Sequence, residues 1–286
     1  MNSRSPHPSH VRKSMARYFR RHYMMPAEHG AWIWLFGPLI LGAAAGHHWD
    51  GSLLILASAA LFAFMARQPA TLIVKVYSGR RPRRDLAPSA LWLGLESLAA
   101  LGLGAILVAA GFRQVTWLIA PGVLVFGWHL WLVHRRAERR QTGVQVVASG
   151  VLALAAPAAY WVAGGGSLSL PWILWFVTWL QSAASIVFIH HRLEQGNWSG
   201  VPSLRQRLVA GRLAWMVAGF NLGVGLALAS MGRIPWLMAA GFAVCLADTL
   251  EGVVNPSLGV RPARLGARQS IVSLLFVGLG TLGFLV

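Results

Sequence analysis

Apolar stretches near the length of a bilayer crossing recur nine times along this chain, and the basic residues fall almost wholly in alternate gaps between them. A helix that crosses about 30 Å of hydrocarbon needs roughly 20 residues. The nine stretches are 31–49, 53–65, 90–110, 115–133, 144–162, 170–189, 213–230, 235–254 and 270–286, the second extending past Arg67. Positive residues collect on the cytoplasmic side of membrane proteins, so the gaps can be read for orientation. The N-terminal arm carries Arg4, Arg12, Lys13, Arg17, Arg20 and Arg21, and the second connection Arg67, Lys75, Arg80, Arg81, Arg83 and Arg84. The fourth carries Arg135, Arg136, Arg139 and Arg140, the sixth Arg192, Arg205, Arg207 and Arg212, and the eighth Arg261, Arg264 and Arg268. Of the 25 Lys and Arg residues, the remaining gaps hold Arg113 and Arg233 alone. That asymmetry predicts an all-α polytopic membrane protein of about nine transmembrane helices, N-terminus cytoplasmic and C-terminus external.

Composition agrees with this class and argues against others. The chain is 56% hydrophobic and 12% charged, with a mean hydropathy of +0.56, whereas soluble domains carry about a quarter charged residues. Many of its 14 Trp lie at the ends of apolar runs, where an amphipathic ring suits the headgroup layer. A net charge of +17 suggests nucleic acid only if the cations share one folded face; spread in bursts between spans they do not, and no nucleic-acid partner is expected. The single Cys245 excludes an intramolecular disulfide.

Residues 1–26 read as a basic, disordered cytoplasmic tail attracted to anionic lipid headgroups, and residues 27–286 as one transmembrane helical domain. A basic arm followed by an apolar stretch and "AAAG" at 43–46 also imitates a signal peptide. The length of the arm, with Trp32, Trp34 and Pro38 in the apolar stretch, argues against cleavage.

Polar side chains inside spans narrow the search for a site, because an ionisable group in hydrocarbon costs about 2.5–3.5 kcal/mol. Glu28 and His29 stand at the mouth of the first span. From the helical rise, Glu96 lies about 10 Å into the third and His129 about one turn from the end of the fourth; Gln181 and Asn221 lie about 12 Å deep in the sixth and seventh. Asp248 and Glu251, three residues apart and so on one helix face, occupy the eighth. Gln145 begins the fifth span, and with the predicted orientation all nine fall in the cytoplasmic half. A polar cavity open to the cytoplasm would satisfy them together; alternatively each acid pairs with a nearby Arg. Glu28 would favour the free N–H groups of a helix start, and His29, beside Gly30, could serve as a gate or as interfacial filler. His47, His48, His190 and His191 read as loop residues, and the sequence indicates no metal site and no cofactor. Gly-rich runs such as "NLGVGLALAS" at 221–230 follow no strand, so they serve close helix packing rather than phosphate binding.

The opening "EHGAW" at 28–32 with "GPLILG" at 37–42 resembles the start of the YwiC-like family of bacterial integral membrane proteins. Segments 182–194 ("SAASIVFIHHRLE") and 261–276 ("RPARLGARQSIVSLLF") continue the resemblance, which implies the bacterial cytoplasmic membrane and no established activity. The span count, orientation and first span are also similar to the UbiA superfamily of intramembrane prenyltransferases. That resemblance implies two Asp-rich motifs, in the second and sixth connections, holding Mg-diphosphate. Here those connections read "RQPATLIVKVYSGRRPRRD" and "HHRLEQGNWSGVPSLRQR", with Asp85 and Glu194 as their acids, too few for a multi-carboxylate Mg site. Arg and Lys can instead hold phosphate oxygens directly.

The leading expectation is a UbiA-like bundle that binds, or acts on, an amphiphilic anionic or lipid-linked ligand. Arg67, Lys75, Arg80 and Arg81 form its anion-binding rim, and Glu28, His29, Glu96, His129, Gln181, Asn221, Asp248 and Glu251 line its cavity. The alternatives are a small-molecule or ion transporter coupled through the inner carboxylates, and a membrane assembly factor or scaffold. The oligomeric state is not encoded in any of these features.

Overall fold

The computed structural model describes residues 18–25, 31–137 and 142–286. Among them the secondary structure is helical throughout: α1 (Arg21–Met24), α2 (Ala31–Gly46), α3 (Gly51–Tyr77), α4 (Leu86–Ala109), α5 (Ile119–His134), α6 (Thr142–Leu152), α7 (Ala155–Val162), α8 (Leu170–Gln195), α9 (Leu204–Ala210), α10 (Arg212–Ser230), α11 (Trp236–Val254) and α12 (Pro262–Leu285). Short 3-10 turns, Arg83–Asp85 and Arg113–Leu118, lead into α4 and α5. Among the described residues, eight helical runs are long and apolar enough to cross a membrane. The first predicted span, α2, has 16 described residues, about 24 Å at the helical rise.

The ends of the spans differ from their predicted positions for identifiable reasons. The second runs to Tyr77, well beyond residue 65, because Arg67 and Lys75 are good helix formers and terminate nothing. The fifth is two helices, since Pro157 has no N–H to offer the Ala153 carbonyl and the chain tightens between α6 and α7. Trp175 Nε1 donates to the Gly150 carbonyl beside that break at 2.9 Å. The sixth span continues to Gln195, which puts His190, His191 and Glu194 on a helix rather than in a loop. The ninth begins at Pro262, a residue pre-set for a first helical turn, so Arg264 and Arg268 lie within it.

Small residues dictate the centre of the bundle. A Cβ on Gly42 would stand 2.1 Å from the Ala156 carbonyl oxygen, and one on Gly46 would stand 2.5 Å from Ala163 Cβ. This four-residue glycine spacing lets α2 and α7 approach backbone to backbone. The "AAAG" stretch is therefore part of the core, with Ala43 and Ala44 fully buried. α8 and α12 pack on the same assembly; Leu41, Leu174, Met238, Phe242 and Phe276 form one apolar cluster there.

Around this centre the packing loosens. About 11% of the membrane-crossing stretch of 83–109 and 6% of that of 113–134 is buried, against 50% for 142–162 and for Leu170–Gln195. α4 and α5 thus present Leu95, Leu98, Leu101, Val123 and Leu124 outward, an apolar surface that belongs in lipid. Trp117, Trp161 and Trp172 meet edge to face at 5.9 and 5.8 Å, at the end away from the basic clusters. There they suit the headgroup boundary.

The tail expected over 1–26 does not hold in its last part. Tyr23 is 2% exposed and donates to Asp85 Oδ1 at 2.9 Å. Gln68 Nε2 reaches the His22 carbonyl at 2.9 Å, and Trp92 Nε1 the Tyr18 carbonyl at 2.8 Å. Arg21–Met24 is therefore docked on α3 and α4.

Candidate functional site

Because successive spans run in opposite directions, the C-terminal ends of α3, α5, α8 and α11 share one face of the bundle with the N-terminal ends of α4, α6, α10 and α12. Lys75, Arg80, Arg81, His129, Asp248 and Glu251 lie at this basic end or within about two turns of it, whereas Glu96, Gln181 and Asn221 lie near the middle of α4, α8 and α10. Glu28 and His29 lie outside the described residues.

The described hydrogen bonds and ion pairs separate the rest into distinct groups. In the first, Arg268 on α12 bridges both acids of α11: its Nη2 is 2.6 Å from Asp248 Oδ1 and also pairs with Glu251, while its Nε donates to Asp248 at 2.7 Å. The three-residue spacing of the acids is what lets one guanidinium meet both. In the second, Gln181 is buried and donates to Ser273 Oγ at 2.9 Å and to Ser185 Oγ at 3.2 Å, and Gln269 donates to Ser185 at 2.8 Å. Asn221 donates from α10 to the Leu180 carbonyl at 2.8 Å, which leaves its buried Oδ1 without a described partner.

Glu96 stands apart from both groups. It is 1% exposed, and neither carboxylate oxygen has a hydrogen-bond partner among the described residues. Ser89, seven residues earlier on the same face of α4, is likewise buried with an unpartnered hydroxyl. An unpaired buried carboxylate is costly, so its presence calls for a compensating use.

Lys75, Arg80 and Arg81 gather at the turn between α3 and α4, whereas Arg67 lies ten residues before the end of α3. Gly79, at φ +72°, makes the left-handed corner that brings Arg80 and Arg81 back over the bundle end. Arg80 Nε donates to Ser78 Oγ at 3.0 Å and its Nη2 to the Val133 carbonyl of α5. Arg81 Nη1 lies 3.4 Å from Asp85 Oδ2. Arg67 lies over the Phe64 ring, 5.4 Å from its centroid; Lys75 is half-buried in the last turns of α3 and His129 half-buried on α5. Burial, then the nearby Arg81 charge, hold His22 below the usual imidazole range, a sign of the positive surroundings.

Another polar node was not anticipated. Arg192 and Gln195, one turn apart at the end of α8, are buried against the C-terminus of α11. Arg192 Nη1 donates to the Asn255 carbonyl at 2.6 Å and to the Gly252 carbonyl, and Arg207 reaches the Val254 carbonyl. Guanidinium groups thereby satisfy the carbonyls that a helix end leaves open. Ser257 closes the node, donating to the Arg192 carbonyl at 2.6 Å. The spacing of Arg192 and Gln195 was the available signal, masked because the segment was read as a loop.

Residues 25–160 match the YwiC-like protein family. No curated protein matches the chain. Over 96% of its length the structure is similar to a solved structure, itself covered to 99%, whose subject is digeranylgeranylglyceryl phosphate synthase in membranes, with a TM-score of 0.60 and 10% identity. At that identity the likeness is one of fold alone, in keeping with the UbiA-like topology expected from the sequence. The side chains do not fit the Mg-diphosphate site which the UbiA resemblance implies. Asp85 is engaged by Tyr23 and Arg81, Glu194 is exposed, and among the described residues no three His, Cys, Asp or Glu side chains come together.

Proposed function

We propose that this multi-pass protein is a UbiA-like bundle of the bacterial cytoplasmic membrane that binds an anionic, lipid-linked ligand at its basic, cytoplasmic end. One observation carries the reading: the fold is similar to that of a lipid-phosphate synthase along nearly the whole chain, yet the segment from α3 to α4 is cationic where the likeness implies carboxylates. A divalent cation bridges acidic side chains to a phosphate; guanidinium and ammonium groups hold the same oxygens without one. Lys75, Arg80 and Arg81 take the phosphate, and the lipid chain lies along the apolar faces of α3 and α4. Glu96, deeper in α4, accepts a hydrogen bond from a hydroxyl or amine of the same ligand.

The test uses the full chain in detergent, titrated with geranylgeranyl monophosphate and with geranylgeraniol, followed by thermophoresis. The phosphate should bind about tenfold or more tightly than the alcohol, and a Lys75→Gln/Arg81→Gln variant should lose about that factor, which is ~1.4 kcal/mol. Equal affinity for phosphate and alcohol, or no change in the variant, would overturn it.

A further inference from the structure

At the same end of the bundle, where α9 packs on α10 and α11, a groove of about 550 Å³ runs along α9 and the first turn of α10. Its walls are Leu204, Arg205, Leu208, Val209, Arg212 and Trp215. Two of the six side chains are guanidinium-bearing, three are aliphatic, one is an indole, and none is acidic. We infer that this groove seats one anionic phospholipid of the adjoining leaflet, with Arg205 and Arg212 on its phosphate and Leu208, Val209 and Trp215 against its glycerol and acyl chains.

The groove is held from several directions. Ser203 and Gln206 cap the start of α9 reciprocally, Ser203 N donating to Gln206 Oε1 at 2.9 Å. Arg207, on the opposite side of α9 from the groove, reaches the Val254 carbonyl of α11. At the joint between α9 and α10, a Cβ on Gly211 would lie 2.6 Å from Val253 Cγ2 and 3.0 Å from His191 Nε2, so that this glycine seats the joint directly on α11 and α8. Trp215 Nε1 donates back across the joint to the Leu208 carbonyl at 3.1 Å, fixing the indole in the groove wall.

Chemistry and position then select the occupant. α10 crosses the membrane immediately after the groove, which places α9 at headgroup depth, where amphipathic helices with basic residues lie. Leu204, Val209, Leu213 and Met216 are exposed there, an apolar surface suited to acyl chains. A zwitterionic lipid brings an ammonium group against Arg205 and Arg212; an anionic one brings net negative charge alone, and each basic residue near the surface contributes about 1 kcal/mol to such binding.

Native mass spectrometry of the detergent-solubilised chain tests the seat, using phosphatidylglycerol, chain-matched phosphatidylcholine and glycerol phosphate as probes. The wild type should retain one phosphatidylglycerol in preference to phosphatidylcholine, and Arg205→Gln/Arg212→Gln should weaken that adduct by about thirtyfold, or ~2 kcal/mol at 1.4 kcal/mol per decade. An Arg113→Gln/Arg233→Gln variant, altered at the other end, should bind as the wild type does. Both arginines of the groove are exposed, so their loss should leave folding intact; circular dichroism verifies this. A second readout is quenching by phosphatidylglycerol with brominated chains, which should fall when Trp215→Phe removes the indole. Equal retention of the two lipids, an unchanged adduct in the double variant, or full competition by glycerol phosphate would each overturn the inference. These residues are separate from Lys75, Arg81 and Glu96, so the two binding readings fail independently.

Discussion

The centre of the bundle and its α3–α4 hairpin solve the membrane problem differently. Where α2, α7 and α8 meet, glycine and alanine bring backbones into contact; Gly42 lies against the Ala156 carbonyl, and Thr178 and Ser182 donate to carbonyls of their own helix. In the hairpin, α4 turns most of its surface to lipid, keeps Glu96 and Ser89 buried without described partners, and starts from the cationic turn at Arg80 and Arg81. Lipid tails are as apolar as leucine, so close packing has to supply the stability that water supplies to soluble proteins. The centre is built for that purpose. The hairpin carries buried polar groups that the proposed ligand would satisfy.

The contrast is broken most sharply by enlarging a glycine on each side. Gly42→Leu drives a side chain into a backbone oxygen that cannot yield, at a cost of about 3 kcal/mol or more, and should abolish a monodisperse folded peak in size exclusion. Gly102→Leu on α4 meets nothing within 4 Å and should leave that peak intact, with a stability gain of up to about 1 kcal/mol from helix propensity. Similar losses in both variants would erase the distinction.

An intermediate effect is expected at Arg268. Its removal by Arg268→Ala leaves Asp248 and Glu251 facing each other without their shared cation. With Arg268 itself nearly half exposed, the cost should fall between the exposed and buried ranges, about 1–3 kcal/mol. Thermal unfolding in detergent measures it, and Arg268→Lys should restore only part, since an ammonium cannot fork between two carboxylates.

The smallest effect concerns the arm. Tyr23→Phe deletes one buried hydrogen bond to Asp85, worth about 1 kcal/mol. It should raise proteolytic cutting near 18–25 without moving the main unfolding transition.

Eight of the nine predicted spans and the clustering of the basic residues were legible in the sequence because hydropathy and charge asymmetry are local properties read along one helix at a time. The α2–α7 contact escaped the sequence reading: "AAAG" mimics a cleavage site, the four-residue spacing of Gly42 and Gly46 went unused, and nothing near it says that Ala156 lies opposite. Pairings escaped for the same reason. Asp248 and Glu251 share a face by spacing, yet their cation is Arg268, on the next helix, and Tyr23 finds Asp85 across 62 positions. Arg192 was missed because its helix projects beyond the apolar stretch, where polarity mimics a loop. Glu96 was legible as a cost, and its lack of a partner became visible only from its burial.

Glu96 therefore bears the whole contrast, and replacing it with leucine while following two quantities at once tests it most directly. If the carboxylate is kept for a ligand, Glu96→Leu removes an unpaired buried acid and should hold or raise the unfolding temperature, while weakening by about tenfold the binding of a geranylgeranyl monophosphate hydroxylated along its chain, the hydroxyl being the donor that Glu96 accepts from. A variant that unfolds several degrees lower and binds the phosphate as the wild type does would make Glu96 a structural residue and contradict the assignment of binding to the hairpin.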